Sequence, residues 1–281
     1  MTLQQVYQQG RTILKEAGIE SPAFDAMCLF RRVFSVDRQT LLLHGERLAP
    51  LEREQEFLRL IKERRDGRPL QYILGEWEFL GMSLSVGEGV LIPREETELL
   101  VYTAVELLNG CLAPRVVDLC AGTGAVGLGI VSLLPHARVT CIERYDEALF
   151  YLRKNCEVFG ENRVTVVCGD ALDSAAAEPY HALDAFVSNP PYIDTAELAT
   201  LQSEVQKEPH TALDGGPDGL EFYRAIAKLL LPRLRPGGVA AVEIGESQGG
   251  QVARLFSAAG LRQIQILRDF NGLDRVVCGL W

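Results

Sequence analysis

The sequence predicts an α/β fold: a mostly parallel, doubly wound sheet with helices on both faces, preceded by a small helical module. Three observations predict it. From about residue 100 onward, short apolar runs alternate with helical patterns, as parallel strands joined by crossover helices do. VVDLCAGTGAVGLGI, residues 116–130, sets a strand, a glycine turn and an apolar helix in direct succession. Roughly the first 70 residues carry helical periodicity instead.

The helical module begins with Leu3, Val6, Tyr7, Ile13, Leu14 and Ala17 on one helical face. A second helix starts with Ser21 as cap and Pro22 at the first helical position. A third is expected over 52–65, closed by the DGRP breaker at 66–69. WEFLGMSLSV, 77–86, then reads as a hairpin with Gly81 near its turn. Strands follow at 116–119, 139–143, 164–168, 185–188, 239–244, 264–267 and 275–279. The last two are placed to pair antiparallel through DFNGLD. The expected division is a helical domain over 1–74, a hairpin linker over 75–92 and a catalytic domain over 93–281.

Composition narrows the function. A hydrophobic fraction of 47% suits a packed interior. The chain has no run of about 18 apolar residues, and its polar opening MTLQQVYQQGRTILKE reads as neither membrane span nor secretory signal, so a cytoplasmic protein is expected. Seven cysteines without a C-x-x-C pair, among them Cys141 and Cys168 inside apolar runs, read as buried reduced thiols. Four histidines without metal-ligand spacing point to no metal. The net charge of −10 argues against broad grip on a nucleic-acid backbone. Local basic clusters at Arg31, Arg32, Arg38 and KERRDGR, 62–68, read as solvated helix faces.

The glycine turn names a cofactor class. Gly122 and Gly124 let the backbone approach a ligand, the helix start beyond them offers unpaired N–H groups, and Gly127 completes G-x-G-x-x-G. Glu143 ends the next strand about twenty residues on, where it can accept from both ribose hydroxyls of a nucleoside. Asp118, four residues before Gly122, would repel a pyrophosphate but suits the amino group of a methionine moiety. S-adenosylmethionine therefore fits better than a dinucleotide. Asp170, in VVCGDAL, either accepts from the adenine amino group or is a plain strand-end turn aspartate.

The fourth strand delivers SNPPYI, 188–193, to the same carboxyl edge. Pro190 biases Asn189 toward extended geometry and Pro191 does the same to Pro190, so the Asn189 side-chain oxygen and the Pro190 carbonyl can converge. Two fixed acceptors suit a planar NH2 group, whose delocalised lone pair makes it a poor nucleophile until it is held and aimed. Tyr192 is placed to stack on that group. The corner reads as a device for methylating a planar nitrogen by positioning rather than by a strong base.

With these motifs the chain resembles the HemK/PrmC family, the protein-(glutamine-N5) methyltransferases of peptide chain release factors. Besides NPPY and VVDLCAGTGAVGL, the resemblance runs through GRPLQYILGEWEF (67–79), VLIPREETE (90–98), EPHTALDGGPDGL (208–220), VEIGESQG (242–249) and DFNGLDRVV (269–277). It implies a class I S-adenosylmethionine-dependent methyltransferase fold, Rossmann-like with a mostly parallel seven-stranded sheet. The helical domain would dock the release factor, whose Gly-Gly-Gln loop would enter the site. By position, Cys120, Ala121, Gly122, Thr123 and Gly124 would cradle the methionine part, Glu143 the ribose and Ala171 the adenine face. Asn189, Pro190, Pro191 and Tyr192 would hold the glutamine amide, with Asn189 also facing the cofactor. The chain departs from the family by carrying Glu143 in place of a frequent Asp and Ala171 in place of a larger, often aromatic residue.

Arg94 reads either as lining the site entrance or as a strand-end arginine satisfied by Glu96 or Glu98, and 208–220 as a loop over the same edge. GGQ at 249–251 repeats the tripeptide of the family's substrate, yet its place between VEIGES and an apolar helix reads as a strand-to-helix turn. The rival readings are an adenine-N6 or guanine-N2 methyltransferase of DNA or RNA, and a cofactor-binding regulator without turnover. A monomer is expected.

Overall fold

The Thr2 hydroxyl accepts from the Gln5 backbone N–H while the Gln5 side chain accepts from the Thr2 N–H, a reciprocal capping box that starts α1 (Leu3–Glu16). The computed structural model describes residues 1–281, the side chain of Ala176 excepted. The chain divides into two units, Met1–Glu76 with Gln202–Lys207, and Trp77–Leu201 with Glu208–Trp281.

In the first unit, α2 (Pro22–Phe34) carries Pro22 in its first turn as expected. Ser21 occupies the cap position, but its hydroxyl makes no cap bond, because its backbone (φ −118°, ψ 61°) departs from the extended geometry that aims it. The next helix, α3 (Arg38–His44), escapes the periodicity reading: seven residues are two turns. Its signal is Asp37, which accepts from Thr40 N–H at 2.8 Å. α4 (Leu51–Arg65) fills the segment expected for a third helix. α5 (Leu70–Leu74) follows the DGRP breaker and ends at Gly75 in the left-handed region. The core is aromatic, with Phe30 stacked on Phe34 at 4.4 Å and edge-on to Phe57 at 5.5 Å between centroids.

One basic cluster is not what the sequence suggests. Arg64 in KERRDGR is 4% exposed, bonded through Nε to Asp25 Oδ2 at 2.6 Å and through Nη2 to Glu204. It faces the interior because α4 turns that side toward α2. Burial holds the Asp25 carboxyl above its ordinary range against the pull of Arg64.

The expected hairpin follows, β1 (Glu76–Phe79) and β2 (Met82–Ser85), with Gly81 at φ +74° in the turn. α6 (Glu98–Leu107) precedes β3 (Arg115–Leu119), and α7 (Ala125–Leu133), β4 (Arg138–Glu143), α8 (Asp146–Phe159) and β5 (Val164–Cys168) follow in alternation. After α9 (Ser174–Ala177) come β6 (Leu183–Ser188), α10 (Glu221–Leu229), β7 (Leu234–Glu243), α11 (Gly249–Ala259), β8 (Arg262–Arg268) and β9 (Asp274–Leu280). The seven strands run β5-β4-β3-β6-β7-β9-β8, parallel except for β9, which is antiparallel to both β7 and β8.

Successive β3 residues point to opposite faces, so Val116 enters the core beneath Leu100 and Leu128 while Val117 enters the one holding Tyr223 and Phe256. Covered strands lose their alternation of polar and apolar residues and read as continuous apolar runs. Chain order reverses between β3 and β6, and their register aligns Leu119 with Ser188. The glycine turn and the proline corner thus leave neighbouring strands at one carboxyl edge, where doubly wound sheets hold ligands.

Cys141 is buried as expected, but Cys168 is exposed. The reason is topological: β5 is the sheet edge, which hydropathy cannot reveal. All seven cysteines are free thiols. Among the described residues, no helix is long and apolar enough to cross a membrane and no acidic, cysteine and histidine group is arranged to hold a metal.

Candidate active site

β3 ends at Leu119 and the chain turns sharply through Cys120 (φ +57°), Gly122 (φ +53°) and Gly124 (φ +84°). A Cβ on Gly124 would stand 2.6 Å from Leu152 Cδ1, so both backbone and packing demand glycine there. Asp118, one residue inside the strand end, is 1% exposed. Its Oδ2 accepts from Gly127 N–H at 2.9 Å, and its Oδ1 is buried with no protein partner. Burial pushes the carboxyl up to about 7, the Gly127 N–H and Cys141 pulling it down and Glu143 adding a little upward.

Glu143 ends β4 and is already engaged. Its Oε2 accepts from Gly122 N–H at 2.9 Å, and its Oε1 from Arg144 N–H at 2.7 Å and Tyr145 N–H at 3.0 Å. A carboxylate has about four acceptor directions. With these bonds kept, about one direction remains open. Asp170 accepts from Arg144 Nη1 at 2.7 Å and, through Oδ1, from Leu172 N–H at 2.9 Å, a strand-end turn that also faces the cleft.

One cleft is lined by Asp118, Cys120, Ala121, Gly122, Thr123, Glu143, Asp170, Ala171, Asn189 and Pro191. Of the expected site residues, Gly124, Pro190 and Tyr192 are not among its described lining residues. The lining adds Val90, Arg94, Thr97, Pro209, Thr211 and Phe222.

The corner itself is tightly tied. Ser188 Oγ donates to Leu119 O at 2.7 Å, and Asn189 Nδ2 to Thr97 Oγ1 at 3.2 Å. Tyr192 turns its hydroxyl toward Glu243 Oε1 at 3.5 Å rather than into the cleft, and its carbonyl accepts from Gln248 Nε2 at 2.8 Å. Ile193 exchanges backbone bonds with Leu213 O at 2.9 Å and Gly215 N–H at 2.8 Å. This lays 208–220 over the edge, as the sequence suggests.

Sequence similarity to known proteins extends over nearly the whole chain. The release factor glutamine methyltransferase of Moorella thermoacetica is 40% identical over 278 residues, covering 98% of this chain and 97% of that one. This chain belongs to the release factor glutamine methyltransferase family. The corresponding protein of Geobacter sulfurreducens is 37% identical over 279 residues, 99% of this chain and 96% of that one. Family models match as PrmC N-terminal domain over residues 5–75 and Methyltransferase small domain over 96–216. A methyltransferase structure from Pyrococcus furiosus superposes with TM-score 0.51 at 16% identity, covering 72% of this chain and 89% of that one, which shows the fold alone.

In this family member several functional neighbours escape sequence reasoning. Arg94 does not pair with Glu96 or Glu98 but with Glu208, whose other oxygen accepts from Ile92 N–H at 2.9 Å. That partner is 114 positions away and adjoins the site only after folding. Glu243 is 1% exposed, and burial pushes it up to about 7, opposed by Thr97, Arg275 and Tyr192 and reinforced by Glu96. GGQ opens α11, with Gln251 N–H donating to Gln248 O at 2.9 Å, a strand-to-helix turn as expected.

Gly219 supplies a test of the corner's rigidity. It sits at φ +67°, and a Cβ there would meet Tyr192 O at 2.4 Å. Gly219→Ala should destabilise the protein by about 2 kcal/mol or more, since left-handed backbone strain and overpacking add. Urea unfolding with unchanged m-value checks this; an unshifted midpoint would show that the loop gives way without cost.

Proposed function

We propose that this chain transfers a methyl group from S-adenosylmethionine to the side-chain amide nitrogen, N5, of the glutamine in the Gly-Gly-Gln motif of peptide chain release factors. The observation that carries the reading is the pairing of β3 with β6, which brings the glycine turn together with Asn189 and Pro191 of the proline corner in one cleft. A cytoplasmic monomer, with the helical unit docking the factor, is the setting this reading implies.

The residues present fit the cofactor. Asp118 Oδ1, a buried acceptor without a protein partner, suits an ammonium group. The turn from Cys120 to Gly124 would cradle the methionine part, Glu143 would accept from the ribose, and Ala171, buried on the lining, would face the adenine with Asp170 beside it. When bound, S-adenosylmethionine supplies a methyl group on a cationic sulfur that leaves as a neutral thioether.

The chain's own part is positional. Asn189 Oδ1 and the Pro190 carbonyl would each accept one amide hydrogen and aim the nitrogen lone pair across the cleft. Prolines add no backbone donor that could compete. Tyr192, anchored by Glu243 and Gln248, would wall the glutamine on its outer side. The amide proton is then lost to water after the new N–C bond has formed, so no strong base is needed.

The test is transfer of labelled methyl to a purified release factor, to the same factor with its Gly-Gly-Gln glutamine changed to alanine, and to DNA and RNA. Label is expected only on the unaltered factor. Label on nucleic acid alone would keep the fold and cofactor and discard the substrate.

A further inference from the structure

We propose that Thr97, backed by Glu243, is the positioning residue that decides which end of the Asn189 carboxamide faces the substrate. The inference rests on the glutamine methyltransferase reading. A carboxamide has an oxygen and an NH2 of nearly equal size, so packing alone does not choose between its two orientations. The choice matters here more than at most sites. An incoming amide NH2 must meet an acceptor, and a reversed Asn189 would oppose donor to donor.

Asn189 Nδ2 lies 3.2 Å from Thr97 Oγ1. A hydroxyl can donate or accept, so this contact by itself would fit either orientation. What polarises it is behind it. Thr97 is 3% exposed and stands at the start of α6, yet makes no side-chain cap bond there. Its hydroxyl stands beside the carboxylate of Glu243, whose Oε2 is buried without a hydrogen bond and so is open to a donor. An ionised carboxylate only accepts. The Thr97 hydrogen is therefore drawn toward Glu243, its lone pair is left for Asn189 Nδ2, and Asn189 Oδ1 is turned the other way. The Tyr192 hydroxyl, 3.5 Å from the other Glu243 oxygen, joins the same anchor from the far end of the corner.

The experiment compares wild type, Thr97→Val and Thr97→Ser at pH 8, where Glu243 is ionised. Valine keeps the shape and removes the hydroxyl; serine restores it. Thr97→Val should lower kcat on a release factor by about tenfold or more, with KM for the factor and calorimetric Kd for S-adenosylmethionine changed by less than about twofold. Thr97→Ser should return kcat to within about threefold of wild type. If valine proves unfolded by circular dichroism, Thr97→Ala carries the same comparison. A kcat within about twofold of wild type, a loss expressed in KM or cofactor affinity, or a serine variant as poor as the valine one would each overturn the proposal. Wild-type protein that methylates no release factor would remove the functional reading itself, and the control tube tells the two failures apart.

Discussion

Asn189→Ala should lower kcat for methyl transfer to a release factor by about 10²–10³-fold, the scale of removing one preorganised hydrogen bond from a reacting group. Cofactor affinity should fall by only about fivefold, since alanine leaves the glycine turn and Asp118 untouched. The effect is large because the amide nitrogen is a weak nucleophile whose reactivity rests on how it is held. Asn189→Asp separates the two sides of the side chain. It keeps an acceptor toward the cleft but loses the donor to Thr97, so it should be about as inactive as alanine. Steady-state kinetics with calorimetric Kd values check both variants. A kcat within a few-fold of wild type for either would remove Asn189 from the reaction.

Asp118→Asn should weaken S-adenosylmethionine binding by about a hundredfold at pH 8, the scale of losing a buried charge-assisted hydrogen bond. Asparagine must give its oxygen to the Gly127 N–H, which leaves its NH2 facing the cofactor's ammonium, donor against donor. The wild-type affinity should also depend on pH. Asp118 is held near 7 in the free protein, chiefly by burial. Binding a cation requires it ionised, so affinity should rise about tenfold per unit as pH rises toward 7, then level off. A proton should be released on binding at pH 6, and Asp118→Asn should abolish both effects.

The same raised carboxyl has a consequence for stability. Between the unfolded value of 3.8 and about 7 the folded chain binds the proton and the unfolded chain does not. Stability from this group therefore falls as pH rises through that window. Glu243, raised from 4.5 to about 7, acts with the same sign. The carboxylates held low, Asp184 and Asp269 among them, act only below their ordinary range. A free-protein Tm that rose between pH 5 and 7 would contradict this account of Asp118.

Much of the fold and the centre of the site could be read from the chain because the signals are local. The strand, glycine turn and helix of residues 116–130 are contiguous, and left-handed φ at Gly122 and Gly124 is a property of glycine itself. The corner at 188–193 owes its shape to two successive prolines acting on their immediate neighbours. All seven strands of the sheet fall where apolar runs place them, with β7 reaching back to Leu234 and α3 being too short to announce itself.

The tertiary structure decided what each of those groups faces. Arg64 looks like one more solvated cation in KERRDGR until α4 turns it onto Asp25. Cys168 looks buried until β5 proves to be the sheet edge. Glu143 looks unpartnered at its strand end until three backbone N–H groups, one of them 21 positions away, donate to it. Nothing local foretells that the Tyr192 hydroxyl turns to Glu243, 51 positions away. The sequence by itself determined which chemical groups stand at the edge, because backbone geometry is set by nearest neighbours. Which way they point was decided by partners such as Thr97, 92 positions from Asn189, because hydrogen bonds of that separation exist only once the sheet has brought its strands together.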